Sequence, residues 1–597
     1  MCGICGEIKF NKSKIDSAKA EYMMQSIKSR GPDNKGLYSH KNIFLGHRRL
    51  SIIDISNKSN QPLIDKKLNL IIVFNGVIYN YKDLRKTLTK KGYKFSTEGD
   101  TEVILKSYHY YGDSFVEKLD GVFAFCIYDI TKNLFFASRD RFGIKPFYYS
   151  INDNCFTFAS NTQALITDKH NKINSQSLNY QLSLHSVIPA PNTILNDIYK
   201  LEPGHYLKIY PNGDFIKTEY YSIDNINIKY NLTENEILEQ TESLLIKSIQ
   251  KRLLTSDVPV GVLLSGGLDS SLIVAIAAKN KIANINTFSI GFSTIEEEMG
   301  NEFYYSNQVS KKFDTNHHKY SINDNDLYDN LDSVIAMMPE PMVSQDASAF
   351  FLLAKQVSKI QKVVLSGQGA DELFGGYFWY DLMNKAKGSD YQKFSQHYFD
   401  RDYDDYKLTI NKEYIETDYS KTLIESFFSK YNDTNLSFLD KVLRIDISKL
   451  IIDDPVKRVD SMTMSWGLET RVPFLDFELI EFLLSVSSEN KVINNGKYYL
   501  KKIAKKYLNK DLVDRKKYYF PVPPLKIIKG KFYDYMREVL SSSQCINRDI
   551  FNRQNINYLL EKPNSNFTKL NGNKLWHLAL LERWFQLNID NKKPTSN

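Results

Sequence analysis

Residues 258–279 read VPVGVLLSGGLDSSLIVAIAAK. The first apolar run, Val258–Leu264, is short and rich in Val and Leu, as a buried parallel strand is. The second is longer, richer in Ala and closes at Lys279, as a buried helix does. Between them Ser265-Gly266-Gly267-Leu268-Asp269-Ser270-Ser271 forms a tight strand-to-helix turn. Such a turn aims backbone N–H groups and the positive end of a helix at one point, which suits a phosphate. The hydroxyls of Ser265, Ser270 and Ser271 add donors, and Asp269 can hold Mg2+ against the phosphates. SGG alone would be an ordinary glycine turn; SGGLDSS between a strand and a helix predicts nucleotide binding. No GxxxxGK[ST] occurs in the chain, so this is not the common phosphate loop.

Around this segment lie 597 residues, too many for one core, so at least two domains are expected. The composition, 42% hydrophobic and 25% charged, is that of a soluble globular protein. A net charge of +8 spread over lysines that alternate with acids argues for a solvated surface rather than a nucleic-acid partner. No run of 18 apolar residues and no signal-peptide pattern occur, which predicts a cytoplasmic protein without a membrane partner. Five cysteines make no disulfide framework. Cys2 and Cys5 form a CxxC, but no second pair or histidine at ligand spacing follows it. A redox pair would sit at a helix start after a strand.

The chain opens Met1-Cys2-Gly3. With Met1 removed, Cys2 carries a thiol and a free α-amine of pKa about 8, nucleophile and base in one residue. Downstream, Gly46–Ile52 is expected to lead into a strand, Leu70–Asn75 to be a strand ending at Asn75-Gly76, and Gly121–Asp129 to pair with Leu134–Ser138. Gly99-Asp100-Thr101-Glu102 is expected to open a helix capped by Asp100 or Thr101. The segment reads as strand-rich and two-layered. Together MCGICG, RGPD, GHRRLSI, NGVIYNY, GDTE and RDRFGIKPFYY resemble the glutaminase domain of the asparagine synthetase family. The resemblance implies an N-terminal-nucleophile hydrolase fold, an α/β/β/α sandwich, over residues 2–210. It implies that Cys2 attacks the glutamine amide, that the Asn75 side chain and Gly76 N–H form the oxyanion hole, and that Arg49 and Asp100 bind the glutamine carboxylate and ammonium. Where the family often has NGEIYN this chain has Val77, which leaves Asp100 to carry more of the ammonium recognition.

Residues 222–232 lack periodicity, and the domain boundary is placed there. From Thr233 a helical period begins, with Thr233–Glu236 as cap and first turn. Ile285–Phe292 is expected to be a strand, and Lys362–Leu365 another, delivering Ser366-Gly367-Gln368-Gly369-Ala370-Asp371. Two glycine-rich strand-to-helix turns can both face a nucleotide at the carboxyl edge of a parallel sheet. His317-His318, adjacent in a strand, would face apart and make a poor metal site. Resemblance to the same family covers residues 2–585 and implies a C-terminal ATP-pyrophosphatase domain, 235–597, with an adenine nucleotide α-hydrolase-like parallel-sheet α/β fold. It implies ATP contacts from Leu264, Ser265, Gly266, Gly267, Asp269, Ser270 and Ser271, from Ser289, Ile290 and Gly291 at the adenine, and from Ser366, Gly367 and Gln368. Asp269 and Asp371 would hold Mg2+, Lys497 would offset charge at the reacting phosphate, and Glu340 would take a proton from the attacking ammonia. Asp460-Ser461-Met462 and Glu469–Asp476 are read as scaffold. Arg515-Lys516-Lys517 leads into Tyr518–Pro521, and Lys574–Phe585 is a closing helix.

Joining the two activities makes chemical sense. A carboxylate is a poor electrophile until ATP converts it to an acyl-adenylate, and ammonia in neutral water is mostly unreactive ammonium. Releasing ammonia inside the protein avoids that loss. The expected partners are therefore glutamine, ATP and a small carboxylate acceptor, aspartate by the family's default; a homodimer is compatible with this. MCGICGE, residues 182–195, EPMVS, SGQGADE and YFPVP also resemble N-acetylglutaminylglutamine amidotransferases, which amidate a dipeptide carboxyl. A tRNA sulfurtransferase would want catalytic cysteines after SGGLDS, where only Cys545 follows. A GMP synthetase usually carries an internal-cysteine glutaminase.

Overall fold

The computed structural model describes residues 2–167, 172–280, 284–295, 300–493, 496–515 and 522–590. Its first twelve strands are β1 (Gly3–Lys9), β2 (Asn34–His40), β3 (Ile43–Arg49), β4 (Leu63–Asp65), β5 (Leu70–Ile78), β6 (Gly121–Asp129), β7 (Leu134–Arg139), β8 (Tyr148–Asn152), β9 (Cys155–Ala159), β10 (Tyr199–Lys200), β11 (His205–Ile209) and β12 (Phe215–Glu219). They form two antiparallel sheets, ordered β10-β8-β9-β1-β3-β2 and β12-β11-β7-β6-β5-β4. The run Leu70-Ile71-Ile72-Val73-Phe74 has no polar member because both faces of β5 are covered. Ile71 and Val73 meet Ile4, Ile8 and Leu45 of the other sheet, while Ile72 and Phe74 pack with Ile104 and Leu105 of the helix Thr101–Tyr111. On the far side, Met23 and Met24 of the helix Ser17–Ser26 cover Cys5 and Phe44. The result is the expected α/β/β/α sandwich.

Two strand limits differ from the sequence reading, and both matter for the site. The strand expected after Gly46–Ile52 instead contains Gly46–Arg49 and stops at Arg49. β5 does not end at Asn75 but pairs with β6 through Gly76↔Phe123 to Ile78↔Gly121. A Cβ on Gly76 would fall 2.2 Å from the Val122 carbonyl oxygen, so only glycine lets the ladder continue there.

The C-terminal part has five strands, β13 (Val260–Leu263), β14 (Asn286–Phe292), β15 (Asn316–Ile322), β16 (Val363–Leu365) and β17 (Glu469–Arg471), all parallel and ordered β15-β14-β13-β16-β17. After β13 the chain builds outward in one direction and from β16 in the other. The switch point, where open α/β sheets bind ligands, therefore lies at the carboxyl ends of β13 and β16, the two strands that carry the glycine turns. The helix Leu268–Lys279 buries every residue from Ser270 to Ala277, which accounts for its alanines. Thr233 and Glu236 form a complete capping box at the start of the helix Glu234–Leu254. The helix Lys574–Phe585 has the expected limits. None of the described helices is long and apolar enough to cross a membrane.

The two parts meet through buried charge. Asp460 accepts from Arg30 at 2.9 Å and from Lys145 at 3.1 Å, all three side chains 6% exposed or less. Asp460→Asn leaves both cations short of their counter-charge, and a stability loss of about 3–5 kcal/mol is expected. A thermal melt indistinguishable from the parent's would contradict that.

Candidate active sites

Cys2, Arg49, Gly76, Val77 and Asp100 line one cavity in the N-terminal part, so most of the residues read from the first 100 positions come together. The β1 strand places Cys2 beside β5, where its backbone nitrogen donates to Asn75 Oδ1 at 3.0 Å. Burial pushes the Cys2 thiol above its ordinary value, so a base must take its proton; Met1, whose removal would expose the α-amine, lies outside the described residues. Asn75 is fully buried, and its Nδ2 has no hydrogen-bond partner among the described residues. An unpaired buried amide donor is costly unless something completes it, and a developing oxyanion would.

Arg49 gives Nη1 to Ser56 O at 2.7 Å and Asn60 Oδ1 at 2.6 Å, and Nη2 to Asp54 O. These bonds fix the guanidinium through Nη1 and Nη2, and Nε takes part in none of them. Asp100 stands at the N-cap position of the helix Thr101–Tyr111 but makes no side-chain cap, against the sequence reading; its helical ψ of −27° turns the carboxylate away from the helix N–H groups. Asp100 Oδ2 instead accepts from Ile78 N at 3.0 Å, and burial pushes this carboxyl up to about 6.

The second site lies at the β13/β16 switch point. Ser265 Oγ accepts from Gly267 N at 3.1 Å and lies 3.2 Å from Ser270 Oγ, shaping the turn. The Ser271 hydroxyl is buried without a partner among the described residues, so it packs under the turn rather than pointing from it. Gly266 has φ +84°, and a Cβ there would press on Tyr305 and Ser306. Gly367 faces the other loop: its Cβ would sit 3.0 Å from Asp269 Cβ. The two loops thus touch through glycine, with Ser366 and Gln368 beside it. Lys497 Nζ joins Asp269 at 2.6 Å and Asp371 at 2.8 Å, so both carboxylates converge on one cation. Burial opposes that charge, yet the two aspartates raise the lysine above its usual value. The β13–β14 ladder ends at Phe288, so Ser289, Ile290 and Gly291 overhang β13 while still paired with β15. Ser289 Oγ donates to Leu264 O, tying the overhang to the loop.

Glu340 lies in neither cluster. It is fully buried and accepts from Lys200 at 3.0 Å, Lys457 at 3.4 Å and Ile194 N at 3.1 Å, where Lys200 comes from β10. Burial opposes its ionisation, but the two ammoniums lower its pKa. His317 and His318 face apart, one bonded to Thr287 at 2.9 Å and the other stacked on Phe288. Two residues gain a place that the sequence did not give them. Arg515 lies over the Tyr305 ring and against the SGGLDSS turn, 3.8 Å from where a Gly267 Cβ would be. Glu469, read as scaffold, lines the Cys2 cavity. Lys516, Lys517 and Tyr518–Pro521 lie outside the described residues.

Comparison with known proteins covers both parts. A glutamine amidotransferase domain family matches residues 1–221, and the asparagine synthase family matches residues 240–586. The asparagine synthetase [glutamine-hydrolyzing] 1 of Bacillus subtilis is 31% identical, over 99% of this chain and 98% of that protein. Number 3 of the same organism is 29% identical over 98% of each, and the asparagine synthetase [glutamine-hydrolyzing] of Asparagus officinalis 28% over 89% of this chain and 77% of its own. With one family matched across more than half of its length, on the part that holds the double glycine turn, this chain belongs to the asparagine synthase family.

Proposed function

We propose that this chain makes asparagine from aspartate, using ATP and ammonia released from glutamine. Cys2 Sγ attacks the glutamine amide carbon; the C–N bond breaks, ammonia leaves, and water later hydrolyses the thioester to glutamate. Asn75 Nδ2 and the Gly76 N–H meet the oxyanion, Arg49 the substrate carboxylate and Asp100 its ammonium. At the second site the aspartate side-chain carboxylate attacks the ATP α-phosphate, pyrophosphate leaves, and ammonia displaces AMP from the acyl-adenylate. Leu264, Ser265, Gly266, Gly267, Asp269 and Ser270 with Ser366, Gly367 and Gln368 would hold the phosphates, Ser271 would support the turn from beneath, and Ser289–Gly291 would meet the adenine. Asp269 and Asp371 fit Mg2+, since two carboxylates that converge on one cation form a hard oxygen donor set. Mg2+ there would supply charge to the phosphate oxygens. Glu340, kept ionised by Lys200 and Lys457, would accept the proton that ammonia sheds, although it lies outside the glycine-loop cluster and its ion pairs lower its basicity. We assign residues 2–210 to the glutaminase and 235–597 to the synthetase, and the protein to the cytoplasm.

The observation that carries this reading is the unpaired Asn75 amide beside Cys2. In Asn75→Ala, glutaminase kcat is expected to fall by about 10²–10³ with little change in glutamine KM, because the donor acts on charge that develops in the transition state. Steady-state glutamate release measures both. A rise in KM at unchanged kcat would assign Asn75 to ground-state binding instead.

A further inference from the structure

The Cys2 cavity is not built by the N-terminal part alone. Glu469, the first residue of β17, lines it together with Arg49 and Asp100. β17 is the edge strand of the parallel sheet, and its neighbour β16 brings Val363, with Met464, against Leu50 and Ile52, just past Arg49. The carboxylate is held rather than mobile: Glu469 N donates to Lys362 O at 2.8 Å, and Arg471 Nε donates to Glu469 Oε1 at 2.5 Å. Arg471 is itself fixed by the Arg252 and Thr255 carbonyls at 2.5 and 2.8 Å. The Glu469 charge is felt at both Cys2 and Asp100. Although burial opposes ionisation, Arg471 holds this carboxyl at about 2.

An amino-acid substrate brings one carboxylate and one ammonium. Arg49 matches the first. For the second, the wall beside Asn75 offers Val77, which is buried and aliphatic, and Asp100 already spends Oδ2 on a backbone N–H. A buried ammonium is stable only beside anions. We propose that Glu469, a residue of the synthetase half, pairs with Asp100 to receive the α-ammonium of glutamine and so sets the selectivity of the glutaminase. This rests on the glutaminase reading above. It also makes glutamine binding depend on the docked second domain, which clamps the same wall through Asp257: its N–H donates to Ile52 O at 2.9 Å, and its carboxylate accepts from Asp54 N at 2.7 Å.

The test compares glutamine with glutaric acid monoamide, which lacks only the α-amine, as substrates for glutamate or glutarate release by the full chain. In Glu469→Gln the preference for glutamine is expected to fall at least about tenfold, through glutamine KM, with monoamide hydrolysis within about twofold of the parent. Adding Val77→Glu to that variant is expected to restore the preference. Ammonia-dependent synthesis reports whether the variant is folded; if it is not, Glu469→Asp, which keeps the ion pair with Arg471, is expected to give a smaller loss in the same direction. Equal slowing of both substrates would make Glu469 a structural residue and overturn the proposal, as would an unchanged preference in a folded variant. Absence of any glutaminase activity in the parent would instead refute the reading on which the proposal rests.

Discussion

Cys2→Ala is expected to abolish glutamine-dependent synthesis, by a factor of about 10³ or more, while synthesis from added ammonia stays within about threefold of the parent. The thiol is the strongest nucleophile lining the first cavity, and the alanine that replaces it has none. The substitution removes one sulfur whose one hydrogen bond among the described residues is a long one, 4.0 Å to Leu50 O, so the sandwich has little reason to unfold. The residues proposed to bind ATP follow other strands, β13 and β16. Glutaminase, glutamine-dependent and ammonia-dependent assays on one preparation measure the split. Loss of all three in a chain that melts like the parent would contradict two separate sites.

Asp269→Asn is expected to produce the mirror image: AMP formation falls by about 10² or more while glutamine hydrolysis persists. Asp269 is the point at which the SGGLDSS helix start, the second glycine loop through Gly367 and the Lys497 ammonium meet. Neutralising it removes one of the two anions that hold Lys497 and one of the two carboxylates available to a divalent cation. Among the described residues Lys497 then keeps only Asp371 as an ion partner, so the position of its charge is weakened, as would be the proposed metal donor set. Pyrophosphate release with saturating ammonia isolates this half from the glutaminase. Full turnover would remove Asp269 from the reaction.

Much of this was legible in residue order, because local rules and tertiary structure agree at the decisive places. A Val/Leu run, the SGGLDSS turn and an Ala-rich run agree on a buried strand and helix, with the turn between them. The Thr233–Glu236 cap and the final helix were equally local. What failed to show was set by partners distant in sequence. β5 runs past Asn75 because β6 offers a continuous partner, which Gly76 is small enough to approach. Asp100 has the composition and position of a cap, yet its carboxylate is taken by Ile78, 22 residues upstream. Arg30, Lys145 and Asp460 read as motif members and scaffold; burial together makes them the interface. Glu469 could be found from sequence only by knowing that the edge strand of one domain forms a wall of the other's cavity.

The proposed reaction is defined by the origin of one nitrogen and the cleavage of one phosphate bond. Incubating the chain with ATP, aspartate and amide-labelled glutamine, in unlabelled ammonium buffer, and following the label and the nucleotide together tests both. The expected result is labelled asparagine formed in step with equal AMP and pyrophosphate. ADP in place of AMP, or nucleotide cleavage that does not depend on aspartate, would contradict it.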